Sequence, residues 1–119
     1  MTAGAERRQH HRFLVRLDVR VVAGDNLPAD LKLVTVDVGV GGARCVSSGR
    51  LASASRLQII LTIVGGPLHQ PVAIPVDAVV LRCDKLARPQ QGYAFEAVLQ
   101  FARIDPREKR QLQSYLNAL

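Results

Sequence analysis

Apolar residues return at every second position through most of this chain and at every third and fourth only at its end. The period of two is clearest near the start, where Val15, Leu17, Val19 and Val21 alternate with Arg16, Asp18 and Arg20. That is the repeat of a strand with one buried and one wet face. It predicts a first strand over 13–22, closed by the turn residues Gly24-Asp25-Asn26. Further strands are predicted over 31–38, with β-branched Val34, Thr35 and Val36, and over 43–47, after the glycine cluster Gly39, Gly41 and Gly42. A fourth, almost continuously apolar, covers 57–64 and ends at Gly65-Gly66-Pro67.

The stretch 72–84 is β-rich, but Pro71 and Pro75 remove ladder donors and predict an edge position or a bend there. Gln90-Gln91-Gly92 reads as a turn. Tyr93, Phe95, Ala97, Leu99 and Phe101 then alternate with Ala94, Glu96, Val98 and Gln100 in a last strand, whose aromatic side is expected to be buried. The period changes at Asp105-Pro106-Arg107-Glu108, which supplies a helix N-cap, a proline at the first helical position and a carboxylate at the third. Leu112, Tyr115, Leu116 and Leu119 follow as one apolar stripe. The expected architecture is all-β with a C-terminal helix: a small antiparallel β-barrel of six to seven strands, about 12–103, and one amphipathic α-helix, about 105–118.

A length of 119 residues with 48% hydrophobic content suits one domain over 7–119 behind a flexible tail at 1–6. A chain of this size needs no metal or disulfide to fold. No stretch reaches the roughly 18–20 apolar residues of a membrane-spanning helix. The basic start runs into the charged alternation at 15–20 rather than into an apolar signal segment, so the expected location is cytoplasmic. Cys45 and Cys83 lie singly in strand-like runs without CxxC spacing, which predicts buried, reduced thiols.

Catalytic sets are missing. His10, His11 and His69 form no zinc-ligand pattern, and there is neither a Gly-x-Ser-x-Gly elbow nor an informative carboxylate pair. The chain is therefore not expected to be an enzyme and needs no cofactor. Asp37-Val38-Gly39-Val40-Gly41-Gly42-Ala43-Arg44 fails as a dinucleotide fingerprint, because Arg44 stands where the third glycine belongs and no helix pattern follows. Its plain reading is a tight turn in which glycines permit positive φ. Asp37 adds a carboxylate at a strand end beside open backbone. The second constellation is Arg7-Arg8-Gln9-His10-His11-Arg12, a run that could simply be a solvated basic tail. Its cations are all arginines, however, whose planar forks suit phosphate and the guanine O6/N7 edge. Arg8 and Arg12 stand roughly 13 Å apart if extended at about 3.3 Å per residue, within reach of one bivalent anion.

Arg8-Gln9-His10-His11-Arg12 resembles the RxxxR motif of PilZ domains. Asp37 to Gly42 is similar to their second motif, (Asp/Asn)-x-Ser-x-x-Gly, at its first and last positions. Gly92-Tyr93-Ala94-Phe95 and the closing helix are also similar to that family, and the resemblance spans essentially the whole chain beyond the tail. It implies binding of cyclic di-GMP, a bacterial second messenger. On that resemblance Arg8 and Arg12 contact phosphates and guanine edges with Arg7 as an auxiliary, Asp37 accepts from guanine N–H donors, and Gly42 lets the backbone approach the ligand. Gly39 stands where the family has serine. One lost hydrogen bond is worth about 0.5–1.5 kcal/mol, or roughly three- to tenfold in affinity, unless water or a backbone N–H replaces it.

The leading expectation is thus a ligand-sensing module whose arginine segment orders on the dinucleotide and alters a surface for a protein partner in motility, secretion or regulation. A ligand-independent adaptor of the same fold is the alternative. A nucleic-acid binder is suggested by the charge of +6, but aromatic residues are only 4% and most alternate toward the expected core.

Overall fold

In the computed structural model, which describes residues 11–65 and 70–119, the first alternating run forms two strands, not one. β1 (Phe13–Leu14) and β2 (Asp18–Gly24) are separated by a short break. The cause is Thr35, 1% exposed, whose hydroxyl accepts from the Leu17 amide at 2.8 Å and donates to the Val15 carbonyl at 2.6 Å. A buried hydroxyl must find partners, and here it takes the place of ladder bonds between neighbouring backbones.

The remaining elements are β3 (Leu33–Val38), β4 (Gly42–Ser47), β5 (Arg56–Ile63), β6 (Val72–Gln90), β7 (Tyr93–Arg103) and the helix α1 (Pro106–Asn117). All strand pairs are antiparallel, in the order β3-β2-β5-β6-β7-β4, and β4 pairs back to β3. Six strands therefore close a ring, and β1 adds to the end of β3 through Phe13–Val38 and Leu14–Asp37. Closure leaves few unpaired edges. The interior is filled by alternate residues, notably Leu57, Ile59, Leu61 and Ile63 of β5 and Ile74, Val76, Ala78 and Val80 of β6.

β6 extends the strand expected over 72–84 to 19 residues, pairing with β5 along its first part and with β7 along the rest, and the edge position expected at its proline is found. Pro75 is tolerated because β7 pairs with β6 only from Asp77 onward, so at Pro75 the strand has β5 alone beside it. The aromatic side of β7 is less buried than its alternation predicts. Ala97 and Leu99 are fully enclosed, whereas Tyr93 and Phe95 are half-buried and lie under the guanidinium groups of Arg16 and Arg50 at 5.7 and 5.0 Å. Cation–π contact shields rings that the core does not reach. The turn at Gln91-Gly92 is as expected, with φ of 52° and 87°.

α1 is entered as the sequence predicts: the Asp105 carboxylate accepts from the Arg107 amide at 2.9 Å, Pro106 opens the helix and Glu108 sits in its first turn. Leu112, Tyr115 and Leu116 are buried against the barrel, but Leu119 lies past the helix end and is 59% exposed. The Tyr115 hydroxyl donates to the Val64 carbonyl at 2.8 Å, tying α1 to the end of β5. Tyr115→Phe keeps the ring and loses this bond, so a destabilisation of about 1 kcal/mol is expected in a denaturant melt. An unchanged midpoint would show that solvent replaces the bond at no cost. Among the described residues no helix is long and apolar enough to cross a membrane.

Candidate functional site

Asp37 faces outward because β3 carries a bulge. Leu33 and Thr35 share the core side, and strict alternation would turn Asp37 inward as well. The pairing slips: Thr35 lies opposite Cys45, and the next partners are Asp37 and Arg44. Val36 is the extra residue, which resets the parity, so Asp37 turns out and Val38 turns into the core.

Two arginines meet that carboxylate. Arg12 Nη1 donates to Asp37 Oδ1 at 3.0 Å, and Arg44 Nε donates to Asp37 Oδ2 at 3.1 Å. Arg44 Nη1 also approaches Glu96 Oε2 of β7 at 3.7 Å. A line of alternating charge thus runs from the segment before β1 across β3 and β4 to β7. Asp37 is its most shielded member, with a side chain 14% exposed against 32% for Arg12 and 39% for Arg44. Charge-assisted bonds to a carboxylate removed from bulk water hold geometry better than surface pairs do.

The glycines serve this arrangement by being small. Positive φ among the described glycines is confined to Gly65 and Gly92, so the turn at 39–42 does not use the left-handed conformations its composition suggests. A Cβ on Gly39 would lie 2.7 Å from the His11 carbonyl oxygen: the His11-Arg12 backbone rests directly on this residue. A Cβ on Gly42 would collide with the Leu99 carbonyl of β7, which accounts for that glycine by strand packing. Backbone bonds from Gly39 N to Gly42 O and from Phe101 N to Gly41 O, both 2.9 Å, fix the turn.

Of the residues singled out from sequence, Arg12, Asp37 and Gly39 come together, Gly42 sits at the neighbouring strand start, and Arg7 and Arg8, like the tail at 1–6, lie outside the described residues. Arg44 and Glu96 were missed. Arg44 was visible in the glycine cluster, but as the residue that spoils a dinucleotide fingerprint. A separate open groove of about 570 Å³, lined in part by Gly24, Arg56, Gln58, Asp77 and Arg103, includes none of these residues. Among the described residues no group of three or more His, Cys, Asp or Glu side chains is placed to hold a metal ion.

Cys45 and Cys83 are both buried and unbridged. Burial pushes the Cys45 thiol up to about 12 from 9.0, the Asp37 charge adds to the rise, and Arg12 partly opposes it. A raised acid favours folding while it stays protonated, so its contribution is complete below about pH 9 and is lost as pH rises toward 12. Melting temperature is therefore expected to fall across that window more steeply in the wild type than in Cys45→Ala. Equal slopes would show that this thiol does not set the alkaline limit.

The sequence matches the PilZ domain family over residues 6–118. The chain belongs to that family. PilZ domains are binding and adaptor domains rather than enzymes. The structure of the Bacillus subtilis inhibitor of motility (MotI/DgrA) is similar, with a TM-score of 0.73 and 20% identity over 93% of this chain. At that identity the likeness is one of fold. This PilZ chain corresponds to 49% of the length of that protein. No curated protein matches the sequence.

Proposed function

We propose that this PilZ domain is a receptor for cyclic di-GMP whose bound state is read by a protein partner of a motility, secretion or regulatory apparatus. The reading is carried by one observation: an arginine of the RxxxR motif and the acid of the second motif, 25 positions apart in the chain, meet at 3.0 Å. On this reading Arg8 and Arg12, with Arg7 as auxiliary, take the phosphates and guanine edges of the dinucleotide. Asp37 accepts from guanine, while Gly39 lets the segment carrying Arg12 lie against the turn beside it. Arginine forks and an acceptor-only carboxylate match a ligand that offers phosphate oxygens and paired N–H donors. The fold occurs in a protein named as an inhibitor of motility, and for this chain the output assigned is contact with a protein partner.

The test is calorimetric titration of cyclic di-GMP, with GTP and the linear dinucleotide as controls. Saturable, selective binding is expected, and Arg12→Ala is expected to weaken it about tenfold, the low end for loss of a charged hydrogen bond. A second reading, an adaptor that does not bind the dinucleotide, is favoured by Gly39 in place of the family's serine. No heat at high micromolar ligand would overturn the receptor in favour of that adaptor.

A further inference from the structure

We infer that Arg44 is the positioning residue of this site and, resting on the cyclic di-GMP reading, that it gives the site its preference for guanine. Its placement comes from the sheet: Arg44 is the cross-strand partner of Asp37 in the β3–β4 register. Arg12, by contrast, reaches Asp37 from the segment ahead of β1. The Arg44 guanidinium spans two carboxylates, Asp37 at 3.1 Å through Nε and Glu96 at 3.7 Å through Nη1. Because the group is planar, contacts on two of its nitrogens fix its plane.

That plane fixes the carboxylate. An ionised Asp offers about four acceptor positions, two on each oxygen. Arg44 takes one on Oδ2 and Arg12 takes one on Oδ1, so the described residues leave one on each oxygen. A carboxylate with one vacant position per oxygen matches a donor pair that points the same way, which guanine supplies through N1–H and N2–H. Without Arg44, Asp37 is free to turn and take Arg12 in a two-bond fork, the preferred Arg–carboxylate geometry, which occupies a position on each oxygen from a new direction. The edge presented to guanine is then lost, while the cations that hold phosphate remain.

The experiment compares cyclic di-GMP with cyclic di-IMP, whose bases keep N1–H and lack the 2-amino group. Wild type is expected to prefer the guanine ligand about tenfold, the value of one good hydrogen bond to a charged acceptor. In Arg44→Ala the preference is expected to fall to near unity, because the guanine ligand loses both N1–H and N2–H bonds to Asp37 and weakens about a hundredfold, while the inosine ligand loses only N1–H and weakens about tenfold. Arg44→Lys should restore it only in part, since a lysine cannot bridge Asp37 and Glu96 in one plane. Arg12→Ala should weaken both ligands by a similar factor and leave the preference standing. Weakening of both ligands by the same factor in Arg44→Ala, no weakening of either, or a wild type that binds without preference would each overturn the inference. A wild type that binds neither ligand would remove the receptor reading and this inference with it.

Discussion

Gly42→Ala is expected to lower the melting temperature by about 10 °C while leaving cyclic di-GMP binding within about threefold of wild type at low temperature. The added methyl meets the Leu99 carbonyl, a backbone atom held in the β4–β7 ladder, so no side chain can swing away to admit it. Overpacking costs about 1–3 kcal/mol, and a backbone obstacle places this case near the top of that range. The alanine chain has less freedom when unfolded, which offsets roughly 0.4–1 kcal/mol. The net of about 2–2.5 kcal/mol corresponds to about 4 °C per kcal/mol for a domain of this size. Thermal melts and titrations on the same preparation separate the two roles this glycine could have. Unchanged melting with lost binding would mean that Gly42 is small for the ligand's sake, and the packing argument would fail.

Much of this architecture follows from periods that the chain states openly. The alternation at 57–63 becomes β5 with its odd residues inside, and Asp105-Pro106 opens a helix because both residues satisfy or remove orphan amide groups locally. What the sequence does not state depends on partners distant in the chain. The break in the first strand is made by Thr35, and nothing near Val15 announces it. The 19-residue length of β6 depends on β7 running alongside it out to Tyr93–Gln90, so a stretch as polar as 84–90 is held as strand through pairs at Asp84, Lys85 and Gln90. Tyr93 and Phe95 alternate correctly but stand toward the end of that long hairpin, where arginines rather than core atoms cover them.

The site divides along the same line. Arg12 and Asp37 were visible because each sits in a short motif of the PilZ family. Arg44 was not, because its contact with Asp37 requires the bulge at Val36: without that extra residue the acid would point inward and the two side chains would lie on opposite faces of the sheet. A one-residue irregularity in register therefore decides both that the carboxylate is accessible and which cation orients it. Composition and motif spacing carry no trace of such a slip.

Restoring the family's serine is expected to harm this PilZ domain rather than improve it. Judged from the motif alone, Gly39→Ser returns a hydroxyl worth about 0.5–1.5 kcal/mol and should tighten binding three- to tenfold. The structure reverses the sign. The serine Cβ would lie 2.7 Å from the His11 carbonyl, with Arg12 Cγ only 3.8 Å away, so the segment carrying Arg12 must lift off the turn. Lifting it stretches the 3.0 Å contact between Arg12 and Asp37. The loss should match that of Arg12→Ala, about tenfold in affinity for cyclic di-GMP. Gly39→Ala separates the two contributions, since it adds the same Cβ without the hydroxyl. If both variants weaken binding by similar factors, steric displacement of the segment dominates. If the serine variant binds more tightly than wild type while the alanine variant does not, the hydroxyl outweighs the contact with His11, and the close approach at Gly39 is not what the glycine is there to permit.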